Sequence, residues 1–587
     1  MFSLESIFDS LNDKQREICH SPANYLLKAC PGSGKTRTIT HRIAYICATN
    51  SASSKLNIAI TYTNRAAIEI EDRLENLNID MSTVWAGTIH QFCMKYIIRP
   101  YSMYSERLRY GYSIIDEYRQ KEYAQEIALS LGIKVGYKPP LSFEEIRQQY
   151  ERKLESRREI DFQQILEYSY ELLHENRFIA ENISSIIRSI HVDEYQDTNE
   201  LQYRILAEII KCNKAINISF VGDENQAIFK SLGGVAKSKT ELEDMFDTQF
   251  IEDQLSGCYR STTRVIDYYS HFSICPSVVS SMYGHADNSG YIVYNKHVER
   301  DKLPSLIAAI IKSQLDAGIP ENDICIVAPQ WNLVFDVANK LRRLLPNVRF
   351  DAPDITPFKY DPMNPFYWMA ELFFSTSGAR SARRKRKAND VLAIIRDEYR
   401  VQIYDEYDAL DLLRTLNTAS RNIENGFVSF QNAVLRALKT MGIDLEQEQS
   451  LLDLYNGFIS KAQRRIQSYN IDISFDGLVK CFKNKEGIVM NVIHGIKGEE
   501  YHTVIGYGLL NGYLPHWEYI MDQKLKSERR NETMHLLYVL CSRAKENLFL
   551  FSETGRKTQR GSTYSATDEL QFVYGRYNAL SSVFSSE

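Results

Sequence analysis

Residues 29 to 38, ACPGSGKTRT, constrain the fold more than any other stretch. Gly32 and Gly34 let the backbone approach an anion closely, Lys35 adds a point charge, and Thr36 offers a hydroxyl to Mg2+. Upstream, residues 23 to 29 (ANYLLKA) form a short apolar run that reads as a buried strand. Downstream, Ile39, Ile43 and Ile46 recur at helical spacing. A strand, a glycine-rich turn and a helix in that order aim backbone N–H groups and the positive end of a helix dipole at a bound phosphate. The strict pattern G-x-x-x-x-G-K-[ST] wants glycine where Ala29 stands, so on this stretch alone a turn that merely caps a helix stays open.

A second apolar run, residues 187 to 192, ends in Asp193 and Glu194, and a third, residues 216 to 222, ends in polar residues from Asp223 to Gln226. Carboxylates at the carboxyl end of a strand lie where open α/β sheets bind ligands. Beside a phosphate-binding turn, Asp193 would hold Mg2+ and Glu194 would polarise an attacking water, with Gln226 placed to touch both the γ-phosphate and that water. An acidic loop after a strand is the alternative for each run taken singly.

The chain has 587 residues, enough for roughly three to five domains. Its net charge of −5 means that any nucleic acid must be held by a local groove and not by a basic body. No stretch reaches the ~20 apolar residues of a membrane span, and the N-terminus lacks a signal-peptide layout, so no membrane contact and a cytoplasmic location are expected. The ten cysteines contain no C-x-x-C pair and are expected to be reduced, with no zinc or iron–sulfur site.

Nine blocks follow one another: LNDKQREI from residue 11, ACPGSGKT from 29, AITYTNRAA from 59, AGTIHQFC from 86, VDEYQDTN from 192, VGDENQAIF from 221, YRS from 259, VIHGIKGEEY from 492 and LLYVLCSRAKENLFL from 536. This ordered set resembles that of UvrD/Rep-type superfamily 1 helicases. The resemblance implies an α/β fold of two RecA-like P-loop motor domains with parallel sheets, each interrupted by a mostly helical insertion. The expected boundaries are 1–96 with 186–270 for the first motor domain and 97–185 for its insertion. The second motor domain takes 271–354 with 481–555, its reduced insertion 355–480, and 556–587 form a polar, mobile tail.

It also implies ATP and Mg2+ as cofactors and assigns roles. The nucleotide would lie on Ala29, Cys30, Pro31, Gly32, Ser33, Gly34, Lys35, Thr36 and Arg37, with Thr36 and Asp193 on the metal. Gln15 would read the adenine edge, Tyr259 would stack on the ring, and Glu500 would touch the ribose. Lys35, Asp193, Glu194, Gln226, Arg260 and Arg543 would perform the chemistry, the two arginines neutralising charge on the γ-phosphate. Tyr62, Thr63, Asn64, Thr88 and His90, with His494 and Lys497 from the second motor domain, would contact single-stranded DNA.

Single-stranded and tailed duplex DNA are the expected partners of a 3′–5′ translocase. The alternative is a DNA- and nucleotide-sensing subunit of a bacterial anti-phage system, like the Gabija helicase-like component that works beside an OLD-type nuclease. An ATP-binding scaffold without turnover fits poorly, since all six catalytic candidates are present.

The chain departs from the family pattern at Cys258 for Asn, Val492 for Thr, Cys541 and Ser542 for Leu-Thr, and Ser231 for a base-stacking Trp. Six basic residues fall between Arg380 and Lys387, a run readable as a solvated loop, a duplex contact or a docking site for an acidic partner. Stacking a base on an aromatic contributes roughly 1–3 kcal/mol. Ser231→Trp is therefore expected to tighten single-strand binding by about one to two powers of ten, leaving ATP affinity unchanged, when titrated by fluorescence anisotropy.

Overall fold

The computed structural model describes residues 8–571 apart from 51, 116, 136–138, 230–232, 285–289, 352–355, 359–360, 362–363, 376–380, 470, 483–486, 522–527 and 559–560. Ser231 and Arg380 thus lie outside the described residues. Among those described, no helix is long and apolar enough to cross a membrane.

Six strands build the first sheet: β1 (Tyr25–Ala29), β2 (Leu56–Ile60), β3 (Val84–Gly87), β4 (Ile187–Asp193), β5 (Asn217–Gly222) and β6 (Ile251–Leu255), in the order β3-β2-β4-β5-β1-β6. Every pairing is parallel. Parallel strands are covered on both faces and are rich in apolar residues, which is why residues 23–29, 187–192 and 216–222 read as strands although each carries polar residues. Parallelism also brings the carboxyl ends of β1, β2, β4 and β5 to one edge. The phosphate turn and both acidic loops leave from that edge.

A second sheet contains β7 (Ile292–Asn295), β8 (Ile324–Ala328), β9 (Phe350–Asp351), β10 (Ile488–Val492), β11 (Tyr501–Gly506) and β12 (Ala544–Phe551), ordered β7-β12-β11-β8-β10-β9. Pairings along β7-β12-β11-β8 are parallel, as is β9 with β10. The fold is therefore α/β with two largely parallel sheets, as expected.

The chain divides into two compact units, residues 1–348 with 490–587 and residues 349–489. In the first, helices Glu117–Ser130, Glu144–Arg157, Phe162–Glu175 and Arg177–Ile186 interrupt the first sheet between β3 and β4. Ile115, Tyr123, Ile127, Ile146, Tyr150 and Leu154 form a small core of their own there. The second unit is helical around Phe358, whose ring meets those of Phe374, Phe427, Phe430, Phe458 and Phe482 at centroid distances of 5.4–6.1 Å.

Two expectations change. The described part of the basic run is no solvated loop: it belongs to the helix Ser381–Ala393. Arg384 donates to the carbonyls of Leu372 and Ser375 and to Asn417 Oδ1, and Lys387 pairs with Glu371 beneath the Trp368 ring. Those two cations are used inside the unit, leaving Lys385 exposed. The described part of the tail is packed, not mobile. Thr567 donates from its backbone N–H to Leu509 O at 3.1 Å and from Oγ1 to Leu514 O at 2.7 Å, and Leu570 is buried. Polar composition concealed this, because the tail's contribution is to satisfy carbonyls, with one apolar anchor.

Arg42 holds the helix that follows the glycine-rich turn, Lys35–Thr49, in place. Its buried guanidinium donates to Ile18 O, to Ala23 O at 2.7 Å and to Asn217 Oδ1 at 2.7 Å, joining the first helix (Asp13–His20), the entry to β1, and β5. Burial lowers its pKa to about 10, so the charge remains. Arg42→Met strands these buried acceptors, each costing about 1–3 kcal/mol, and the melting midpoint is expected to fall by several degrees in scanning calorimetry. Arg384→Ala is likewise expected to lower the melting midpoint while leaving the salt dependence of tailed-duplex binding unchanged.

Candidate nucleotide and strand site

Gly32 and Gly34 hold φ of +72° and +79°, a region that favours glycine, and a Cβ on Gly32 would lie 2.6 Å from Arg260 Cβ and 3.0 Å from Cys258 Sγ. The turn and the Cys258–Ser261 segment are thus pressed together, fixed by Tyr259 N–H donating to Gly32 O at 2.9 Å. Cys258, one of the departures, is fully buried in this contact. Gln15 closes a capping box with Asn12 and donates from Nε2 to Ser33 O at 3.0 Å, so its amide braces the phosphate turn. Asn12 donates to Tyr259 OH at 2.7 Å and orients that half-exposed ring. Ser33 Oγ is buried without a partner in the same turn.

Lys35 Nζ donates to Glu194 Oε1 at 2.8 Å, and Thr36 Oγ1 donates to Asp193 Oδ2 at 3.1 Å. Glu194 adopts φ +55°, a costly conformation for a residue with a Cβ, at the turn that follows β4. Burial opposes the Lys35 ammonium, but Glu194, Asp223 and Asp193 outweigh it and raise its pKa. Burial and the Glu194 charge push Asp193 up. Glu194 is held down because Lys35 and Lys497 overcome its burial. A hydroxyl and a carboxylate facing each other, with surplus buried negative charge, form a hard-oxygen set that suits Mg2+.

The second sheet closes the site. Arg543, 1% exposed, donates from Nη2 to Gln226 Oε1 at 2.8 Å, while Gln226 Nε2 donates to Asp223 Oδ2 at 2.7 Å. Burial, reinforced by Arg260, lowers Arg543 to about 9. Arg260 donates to Glu500 Oε2 and to Ser542 O, both at 3.0 Å. Ser261 Oγ donates to Ala544 O at 2.7 Å, so the segment after β6 is anchored on β12.

Beside this cleft, Tyr62 stacks on Phe229 at 4.3 Å and 27°, and His494 meets the other ring of the group, Phe229, at 5.6 Å. Phe229 was missed as a site residue although it ends a recognised block. The sequence comparison looked for the aromatic two positions later, at Ser231.

The remaining strand candidates are more dispersed. Thr63 caps the helix Asn64–Asn76, which Asn64 opens, and Thr88 caps Ile89–Cys93 in a capping box with Gln91. His90 sits edge-on to Phe162 of the helical insertion at 5.8 Å, its pKa lowered to about 4 by burial, so it is neutral at pH 7. Lys497 lies in the cleft, with its ammonium on Asp197, and not on an open track.

Comparison with known proteins agrees with this geometry. A family model described as the UvrD/REP helicase N-terminal domain matches residues 11–139 and 136–247, and one described as the UvrD-like helicase C-terminal domain matches residues 477–554. The ATP-dependent DNA helicase UvrD1 of Mycobacterium leprae is 25% identical over 93% of this chain and 83% of its own length. The ATP-dependent DNA helicase PcrA of Staphylococcus epidermidis is 23% identical over 94% of this chain and 84% of its own. UvrD1 of Mycobacterium tuberculosis is 26% identical over 74% and 59%. With both family models matched in order and their motifs folded into one cleft, the chain belongs to the UvrD/Rep family of helicases and is a helicase ATPase.

Proposed function

We propose that this ATPase couples hydrolysis to 3′–5′ movement along single-stranded DNA. The observation that carries the reading is that both sheets contribute to the same two places. Arg543 reaches Gln226 at the nucleotide cleft, and His494 reaches Phe229 at the strand stack. A change in the separation of the sheets therefore alters both sites at once. The 3′–5′ polarity rests on the family's general behaviour.

The phosphate turn from Ala29 to Arg37 binds the triphosphate through backbone N–H groups and Lys35. Thr36 and Asp193 would hold Mg2+, whose charge would shield the phosphate oxygens. Glu194 takes the proton of the attacking water and Gln226 orients that water. Arg260 and Arg543 stabilise the charge that builds on the γ-phosphoryl group. Tyr259, held by Asn12, stacks on the base, and Glu500 lies beside Arg260 at the ribose side. Tyr62, Phe229 and His494 offer aromatic faces to DNA bases, and the more dispersed Thr63, Asn64, Thr88 and His90 contact the strand away from that stack.

ATP turnover is expected to require Mg2+ and to rise with single-stranded DNA. A turnover indifferent to DNA sinks the motor reading. Lys35→Ala is expected to weaken ATP binding or turnover, whereas Glu194→Gln should retain ATP and abolish its hydrolysis. Parental turnover in Glu194→Gln overturns that assignment. Strand displacement on duplexes tailed at either end tests polarity, and DNA-stimulated hydrolysis without displacement favours the alternative of a regulatory subunit.

A further inference from the structure

Tyr269 lies near the end of the helix Thr263–Ser270, which follows Arg260, and Tyr538 lies on the helix Arg529–Cys541, which leads into Arg543. The two helices pack together, and the rings meet edge-on at 5.1 Å and 77°. Both side chains are fully buried, and both hydroxyl oxygens lack a hydrogen-bond partner. A folded protein leaves few buried polar groups unpaired, because each has given up water without a return. Burial also pushes both phenols well above the usual tyrosine range, so each remains a neutral O–H donor.

The acceptor that fits them is Asp223. The helix Arg529–Cys541 packs on the short turn Glu224–Gln226, which Asp223 caps. Asp223 and Cys30 of the glycine-rich turn act electrostatically on both hydroxyls, joined by Arg260 at Tyr269 and by Arg543 at Tyr538. Other donors serve Asp223 in this arrangement: Oδ1 accepts the N–H of Asn225 at 3.0 Å, and Oδ2 accepts from Gln226 Nε2 at 2.7 Å. Gln226 in turn accepts from Arg543 Nη2 at 2.8 Å, so its amide is engaged at both ends. Orienting the attacking water and facing the γ-phosphoryl group, the roles proposed above, require Gln226 and Arg543 to let go. Asp223 Oδ2, on a residue 5% exposed, then loses its donor, and a buried carboxylate oxygen needs one. Tyr269 and Tyr538 carry unspent donors next to it.

We infer that Tyr269 and Tyr538 are positioning residues for hydrolysis: when ATP draws Gln226 and Arg543 to its γ-phosphate, the two phenol hydroxyls replace Gln226 on Asp223. A carboxylate oxygen has two lone pairs, so it accepts from either ring or from both. The exchange lets the Gln226 amide leave without stranding a buried carboxylate, and it keeps the turn Glu224–Gln226 anchored while the amide reaches the water. The inference rests on the proposed role of Gln226.

The test uses the full chain and substitutions that remove only an oxygen: Tyr269→Phe, Tyr538→Phe and the two together. Without nucleotide, the melting midpoint of each is expected to equal or exceed the parental value, since an unpaired hydroxyl is lost. Affinity for ADP with Mg2+ should stay parental. In the paired variant, affinity for a non-hydrolysable ATP analogue and ATP turnover should both fall by about tenfold or more, the worth of one hydrogen bond to a charged group. The single variants should fall less, because the other ring still serves. Gln226→Ala reverses the sign of the melting result: there the phenols already serve Asp223, so removing both hydroxyls lowers the midpoint. A paired variant that melts well below the parent without nucleotide, or fails to fold, overturns the inference, because its hydroxyls are then paired in the resting protein. So does parental turnover with parental analogue affinity in the paired variant, or a midpoint in Gln226→Ala that ignores the tyrosines. Parental hydrolysis in Gln226→Ala instead defeats the proposed role of Gln226. The melting comparison does not depend on turnover, so the two failures are distinguishable.

Discussion

Three carboxylates, those of Asp193, Asp197 and Asp223, are buried at one edge of the first sheet with the part-buried Glu194 beside them, and their need for positive charge organises the site. Buried charges persist only when paired and hydrogen-bonded. Lys35 supplies one cation from within the first sheet's own phosphate turn. Lys497 and Arg543 come from the second sheet, the first as an ion pair with Asp197 and the second through Gln226. Neither sheet satisfies this edge alone, so the electrostatics of the acidic cluster draw the two sheets together.

That arrangement also explains why the site can respond to a nucleotide. On the proposed roles, a triphosphate would bring negative charge to the same cations and a divalent ion would bring positive charge to Asp193, and both would redistribute the pairings that hold the cleft. Because Arg543 is almost fully buried and its charge is disfavoured there, it has a strong electrostatic preference for an anion in its reach. Tyr62, Phe229 and His494 join the same two sheets, so on the proposed roles a rearrangement at the nucleotide would reach the strand face.

Much of the fold was legible in the sequence because its physics is local. Residues 187–192 suggest a buried strand because Ile187, Ile190 and Val192 precede two acids, and the glycines at 32 and 34 announce a turn that other residues enter with strain. The glycine-rich turn, the acidic strand ends and the two arginines fall within short blocks, so a chemistry could be proposed for them before their geometry was known. The described parts of the basic run, for which a solvated loop was one of three readings, and of the tail are packed for the opposite reason: charge and polarity say that a segment tolerates water, not whether a carbonyl elsewhere in the fold is waiting for it.

The sequence by itself determined the α/β class, the order of the blocks and the residues proposed to hold phosphate and activate water. Only the tertiary structure decided which distant groups meet. Lys497 and Asp197 are 300 positions apart, as are Arg543 and Gln226 by 317, and no pattern of spacing predicts such pairs. The cause is that burial of charge is settled by the three-dimensional environment: a lysine beside a histidine in a strand-contacting block reads as a phosphate contact until the fold encloses it with an aspartate.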